Sequence, residues 1–306
     1  MLRFALRRIA EMVPTLLLMA TLTFFLLRLA PGGPFDSERA WPPEIQASIQ
    51  HKYGLDQPVP VQFARWMADV VRGDFHESFQ YIGRPVRDVI AESLPVSLGL
   101  GAIALLISLL VGIPLGCLAA WKRGTAWDAL AVFISISGVS LPSYLVASLL
   151  ILLFSQWLGW LPPALWEETG SWILPAITLA SRPLAIIARL TRTTMIESLQ
   201  ADYIRTARGK GLSERVVIFK HALKNSLVHV LSVLGTVAAN LLTGSFLVEV
   251  VFQLPGLGKH FVQAVTNRDY PLVMGVTLTY GVLLLLANLA VDLLYGFADP
   301  RMRVVR

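Results

Sequence analysis

Long, nearly uninterrupted apolar stretches organise this chain: Ile9 to Leu29, Pro95 to Ala120, Ala129 to Leu158, Trp172 to Leu190, Leu227 to Phe252, and Val273 to Phe297. A helix crossing the hydrocarbon core of a bilayer needs about 20 mostly apolar residues. The pattern therefore predicts six transmembrane helices. Strands of a membrane barrel would alternate over segments of about 10 residues. Stretches without alternation must satisfy their backbone polar groups internally, as helices do. The predicted fold is an all-α polytopic membrane protein. The third stretch is too long for one straight span, and Gly138 with Pro142 predicts a break or kink inside it. The first 30 residues place Arg3, Arg7 and Arg8 before an apolar run, as a signal peptide does. Arg28 and Pro31 crowd the obvious cleavage site near Ala30, which predicts a retained first helix.

Composition supports this reading: 55% of residues are apolar and only 15% charged, more apolar surface than one soluble core hides. Cys117, the single cysteine, lies inside the second stretch, which leaves no disulfide framework and no thiolate metal site. His51, His76, His221, His229 and His260 are scattered without metal-ligand spacing, so no metal site is expected.

Charge sets the expected orientation. Of 26 Lys and Arg, 16 fall on the side of the N-terminus, eight of them from Arg189 at the end of the fourth stretch to Lys224 before the fifth. The long segment from residue 31 to 94 holds six, outnumbered there by nine Asp and Glu. By the positive-inside rule both termini are cytoplasmic. The net charge of +6 reflects this bias. No basic patch interleaved with aromatics appears elsewhere, so nucleic acid is not an expected partner.

Residues 31–94 form an external cap segment between the first helix (residues 1–30) and a five-helix core (95–306). Pro43 starts a candidate helix with Ile45, Ile49 and Tyr53 on one face before Gly54, and a second runs from Val61 to Arg72 before Gly73. A third starts at Pro85 and feeds the second span through Val86, Val89 and Ile90. The cap reads equally as a packed lid or as a docking rim that guides substrate. Between the fourth and fifth spans, Asp202 fits a helix N-cap, Gly211 a C-terminal stop, and Ser213 the cap of a second helix carrying Val216, Val217 and Phe219. Taken alone, this basic helix-turn-helix fits an amphipathic hairpin on anionic lipid headgroups.

The string YIRTARGKGLSERVVIFKHALKNSL, from Tyr203 to Leu227, resembles the cytoplasmic coupling loop of permeases in ATP-binding-cassette importers. The general family pattern is Glu-Ala-Ala, three residues, Gly, nine residues, then Ile-x-Leu-Pro. Here Arg205, Thr206 and Ala207, then Gly211, then His221 to Lys224 occupy those positions, without the leading Glu or final Pro. That departure resembles the oligopeptide, dipeptide and nickel branch. RLAPGGPF (28–35), GVSLPSY (138–144), LPGLGKHFVQAVTNRDYPLV (254–273), and Asp292 with Asp299, Pro300 and Arg301 extend the resemblance over the whole chain. ERAWPPEI (38–45) and KYGL (52–55) bring it nearest to B-type subunits of oligopeptide permeases.

The resemblance implies a type I importer permease fold in the bacterial inner membrane. It implies four kinds of partner: a second homologous permease subunit, two cytoplasmic ATPase subunits, an external substrate-binding protein and a peptide substrate. The coupling loop, 199–223, would act through Arg205, Thr206, Ala207, Gly211, Leu212 and Ser213; an external hairpin would include Pro255, Gly256, Asn267, Arg268 and Asp269. No phosphate-cradling Gly-x4-Gly-Lys-Ser/Thr occurs: Gly209-Lys210 and Gly258-Lys259 lack both the earlier glycine and the following hydroxyl. The chain is thus expected to be non-catalytic and to bind no cofactor, with ATP and Mg held by the partner subunits.

Arg182, mid-span beside Pro183, reads either as a pathway residue or as an interhelical partner, because a charge there must face protein or water. Glu249 and Asp292 sit near span ends, where capping or snorkelling accounts for them. Gly112 and Gly116 suit close helix packing, within the chain before between subunits. Met12, Met19, Phe24 and Phe25 read as lipid-facing or packing residues. A dipeptide or nickel-chelate importer of the same branch remains an alternative. A proton-coupled carrier would show inverted repeats or mid-membrane carboxylate relays, and neither is found.

Overall fold

The structure, a computed structural model, describes residues 2–30, 32–33, 51, 54–81, 83–242 and 246–298. Among these, regular structure is helical, with one isolated bridge between Glu77 and Pro85. In chain order the helices are α1 (Leu2–Leu29), α2 (Val59–Val71), α3 (Val86–Trp121), α4 (Ala126–Ser140), α5 (Ser143–Leu150), α6 (Ile173–Gln200), α7 (Asp202–Gly209), α8 (Glu214–Val216), α9 (Leu223–Leu242), α10 (Phe246–Val251), α11 (Leu257–Thr266) and α12 (Tyr270–Ala298). Two π-helical stretches join them: Ile151–Trp157 follows α5, and Val217–Ala222 carries α8 into α9. The candidate Pro43 helix and the Asp299-Pro300-Arg301 pattern lie outside the described residues.

Among the described residues five helices are long and apolar enough to cross a membrane, and the pair Ala126–Ser140 and Ser143–Trp157, bent by 114°, is either a broken sixth span or a re-entrant loop. The break expected near Gly138 and Pro142 falls after Ser140: Pro142, with extended backbone, takes the N-cap position of α5.

Span boundaries differ from the sequence expectation in the second, fourth and fifth spans, the fourth running on from Leu190 to Gln200. The second span starts at Val86 rather than Pro95, because the third cap candidate is the first turns of α3 and Pro85 occupies its N-cap. At 36 residues α3 is about 54 Å long and reaches beyond the hydrocarbon. The fifth span runs from Glu214 to Leu241 rather than from Leu227 to Phe252. Its apolar tail is the separate helix α10, whose Val248 is fully buried, as is the adjoining Phe252. That tail is only partly buried, because Phe246, Leu247 and Val250 on its other side are exposed.

The bundle is built on α3 against α6. A Cβ on Gly112 would lie 3.0 Å from the Leu184 carbonyl oxygen, one on Gly138 would lie 2.8 Å from that of Ser181, and one on Gly116 would collide with that of Ala188. The small residues therefore serve packing within the chain. Leu100, Ala104, Leu174, Ala180, Ile187, Val230 and Phe252 form the central core. α1 leans on α12, burying Ala20 and Phe24 while Leu18, Leu22 and Leu26 face outward.

The molecule has two ends. At one, here termed the cap end, the last turn of α1, all of α2 and the starts of α3 and α12 meet α11. At the other, the hairpin end, Cys117 and Ala120 of α3 meet Met195 of α6 and Ile204 of α7. The start of α1 and the later part of α12 line one cavity, with Arg8 and Glu11 beside Leu285 and Asn288.

Candidate functional site

The hairpin between α6 and α9 is a helix, a left-handed turn and a helix continuous with a membrane span. Ala201, with extended backbone (φ −71°, ψ 152°), takes the N-cap position of α7, so Asp202 is the first helical residue and not the cap expected from sequence. Asp202 stays exposed, 3.5 Å from Arg205. Ile204 and Ala207 face inward on Cys117, Ala120 and Met195, and this one apolar edge seats the helix.

Gly211 ends α7 with φ +77°. Its N–H donates to the Arg208 carbonyl at 2.9 Å, and the Leu212 N–H donates to the Ala207 carbonyl at 3.3 Å. This is a Schellman turn, whose left-handed residue is normally glycine. No heavy atom lies within 4 Å of a Cβ placed there, so any cost of substitution is backbone strain and not collision. Ser213 has N-cap backbone geometry but makes no side-chain cap bond. The turn is held instead by Arg208, which donates to the two Glu214 carboxylate oxygens at 2.7 and 3.2 Å.

Val217, Ile218 and Ala222 complete the buried side. The opposite side exposes Tyr203, Leu212, Val216 and Phe219 among Arg205, Thr206, Lys210 and Ser213. Of the six residues singled out on this loop, only Ala207 points inward. Large exposed apolar groups ringed by basic ones have the composition found at contact surfaces.

An anchor beside the hairpin escapes sequence reading. Asp128, in the first turn of α4, accepts from Arg192 of α6 at 2.6 and 3.0 Å and from the Gly124 N–H at 3.0 Å. Arg192 counted only as a loop charge, and Asp128 fell just before an apolar stretch. The partners are 64 residues apart, so nothing local pairs them.

At the cap end stands Asp269, which the resemblance assigns to an external hairpin. Its side chain is fully buried. It accepts from the Ser78 hydroxyl and from the N–H groups of Phe79 at 3.1 Å, Gln80 at 3.3 Å and Leu272 at 3.2 Å. The residue at the start of α12 thus ties down a loop about 190 positions earlier in the chain. Its neighbour Asn267 is the exposed position on that connection. Arg268, with φ +55°, donates to the Gly33 carbonyl at 3.3 Å.

Pro255 is exposed, whereas Gly256 is buried against the Glu249 carboxylate. Glu249 accepts from Ser97 Oγ at 2.9 Å and from the N–H groups of Gly258 at 2.7 Å and Lys259 at 3.3 Å. The capping role read from sequence is therefore directed at the start of α11, not at the helix that carries Glu249. Nearby, burial first, then Lys259 and Arg84, hold the His260 imidazole below its ordinary range. Tyr81 Oη lies 3.4 Å from its Nδ1.

Arg182 is exposed on α6 and has no hydrogen-bond or ion-pair partner among the described residues. The structure does not pair it with another helix.

Two family profiles match the chain: "Binding-protein-dependent transport system inner membrane component" over residues 112–304, and the corresponding N-terminal profile over 1–101. The chain is 44% identical over 305 residues to the oligopeptide transport system permease protein OppB of Salmonella typhimurium, covering 99% of this chain and 100% of that one. It is 43% identical over the same shares to OppB of Escherichia coli K12. It is 41% identical to the dipeptide transport system permease protein DppB of Bacillus subtilis, covering 99% of each chain. In fold it resembles a chain of the inward-facing MetNI methionine ABC transporter, with a TM-score of 0.55 and 17% identity over 69% of this chain and 96% of that one. A chain of an amino acid ABC transporter gives the same TM-score, 0.55, at 18% identity over 68% and 94%.

Proposed function

Starting from the family to which this chain belongs, the inner membrane components of binding-protein-dependent transport systems, we propose that it is the B-type permease subunit of an ATP-driven oligopeptide importer. The chain is a multi-pass inner membrane protein with the type I importer permease fold. The observation that carries the peptide assignment is similarity along the full length to oligopeptide permeases.

In this reading the hairpin end is cytoplasmic, as the clustering of Lys and Arg there supports. The exposed face of Tyr203, Leu212, Val216 and Phe219 docks on an ATPase subunit that supplies ATP and Mg. A second permease subunit completes the path, and a substrate-binding protein delivers peptide at the cap end. Force enters through the hairpin: ATP held between two ATPases favours one arrangement of the permease pair over another, which gives alternating access. Arg182, without a partner among the described residues, faces water or peptide in that path.

The test is uptake of labelled peptides of graded length by proteoliposomes containing the complete complex, with ATP inside and the proton gradient collapsed. Uptake of peptides longer than two residues supports the reading. Uptake that follows the gradient and ignores ATP overturns it. Uptake confined to dipeptides favours the second reading, to which the similarity to DppB points.

A further inference from the structure

A cavity of about 790 Å³ opens at the cap end, between the last turn of α1, α2, the turn before α3 and the start of α12. Its wall holds one cation in a fixed arrangement. Gln62 of α2 donates both amide N–H groups, to the carbonyls of Gln57 at 2.8 Å and Leu55 at 3.1 Å. Its amide oxygen accepts from Nε and Nη2 of Arg28 at 3.0 and 2.9 Å. Nη1 of Arg28 donates to the Phe24 carbonyl at 3.3 Å, and the guanidinium carbon lies 3.4 Å from the centre of the Phe24 ring.

A guanidinium carries five N–H donors. These contacts engage three of them, all with neutral acceptors, and leave one on each of Nη1 and Nη2. No carboxylate pairs with Arg28 among the described residues. Two acids on the same wall are engaged elsewhere: Asp69 lies 3.0 Å from His76 Nε2 and 3.7 Å from Arg72, and Asp74 accepts from the His76 N–H at 2.8 Å. A second donor of the wall is also unmet. Trp66 is only 4% exposed, and its indole N–H has no hydrogen-bond partner, where buried donors are ordinarily paired.

An arginine at the end of a span can simply snorkel to water. Arg28 does the reverse, folding back half-buried over the fully buried Phe24 ring. A clamp between α1 and α2 accounts for the bonds to Gln62 but leaves the cation without a counter-charge. An acidic side chain of a docked protein would bring one sign of charge only. The cavity offers both, since Asp56 also lines it, exposed and with no ion pair among the described residues. A concave site within the range of about 300–1,000 Å³ typical of small ligands, with an open cation and an open acid, fits a short zwitterion.

We infer that this cavity is a peptide-binding site at the entrance of the permease, in which Arg28, oriented by Gln62, holds the C-terminal carboxylate and Asp56 faces the free amine. The inference rests on the importer reading and gives its entrance a chemistry. One N–H on each Nη meets the two oxygens of a carboxylate. Only the ends of the peptide are read, so its side chains are left unselected.

Equilibrium dialysis of radiolabelled trialanine against the purified complex in lipid nanodiscs, without the substrate-binding protein, tests this. Binding should saturate. Trialanine amide should bind about tenfold more weakly or worse, as loss of a charge-assisted bond implies. Arg28→Lys should weaken trialanine binding similarly, because an ammonium keeps the charge but lacks the planar fork. Trp66→Phe, which removes the indole N–H and keeps an aromatic ring against Phe24, should weaken it severalfold. The amide binding as well as the free acid overturns the site, and so does wild-type affinity in Arg28→Lys. If Arg28→Lys does not assemble, unchanged affinity in Trp66→Phe overturns it. Absence of peptide binding, together with loss of binding-protein docking in Arg28→Lys, assigns the cavity to an acidic side chain of that protein and overturns the peptide site. Wild-type proteoliposomes separate the two failures: if they show ATP-driven peptide uptake, only the cavity site falls, and if they show none, the importer reading falls.

Discussion

The two ends of this protein are fastened by different chemistry. At the cap end, Asp269 and Glu249 are fully buried carboxylates that collect hydroxyl and backbone N–H donors from segments far away in the chain. Within the hairpin itself the polar contacts are near in sequence and exposed, Arg208 with Glu214 and Arg205 with Asp202, and the long-range pair of Asp128 and Arg192 lies beside it, between α4 and α6. There, burial of Ile204, Ala207, Val217 and Ile218 does the holding. A buried carboxylate with several donors is directional and tolerates little displacement, whereas an apolar edge can shift over its seat and remain buried. One end is built to stay in register and the other to transmit movement.

The largest effect expected from this contrast is at Asp269. Replacing it with Ala strands the Phe79 and Gln80 N–H groups in a buried site, and each lost bond to a charged acceptor is worth about 1.5–3 kcal/mol. Thermal unfolding of the purified complex, followed by tryptophan fluorescence, should show a loss of about 3 kcal/mol. A change near zero would mean that the cap end is no clamp.

At Gly211 the expected loss is smaller in stability and larger in function. Gly211→Val forces a β-branched residue into φ +77°, at about 1 kcal/mol or more, with no collision to add. Gly211→Asn, which tolerates the left-handed region, should cost less. Peptide-stimulated ATP hydrolysis and uptake should fall in Gly211→Val and largely recover in Gly211→Asn. Equal behaviour of the two variants would show that turn geometry does not matter.

The smallest effect belongs to Arg208→Gln. The Arg208–Glu214 pair is about half exposed on both sides, so its removal should cost about 0.5 kcal/mol or less and vanish in high salt. A salt-insensitive loss would place this pair among the buried anchors and erode the contrast.

Much of the fold was legible because the length and apolar character of a span are local properties. The break near Pro142, the glycine stop at Gly211 and the small-residue packing of Gly112 and Gly116 all follow from residues within a turn or two. Misjudged features depend on distant partners. Asp269 reads as a surface charge until the loop of Ser78 and Phe79 folds over it. Asp128 and Arg192 likewise mean nothing separately. The tail from Phe246 to Val251 looks like the end of a span because its short separate helix is apolar on its buried and its exposed sides alike.

The glycine contacts between α3 and α6 have a mechanical consequence. Where a helix backbone rests on the carbonyls of its neighbour with no side chain between, axial sliding would drive the next bulky residue into those carbonyls. The close contacts of Gly112 and Gly116 on Leu184 and Ala188 therefore make the two helices one beam. A beam can tilt but cannot telescope. Bending must go to joints outside it, and the 114° corner between α4 and α5 and the glycine turn after α7 are joints of that kind.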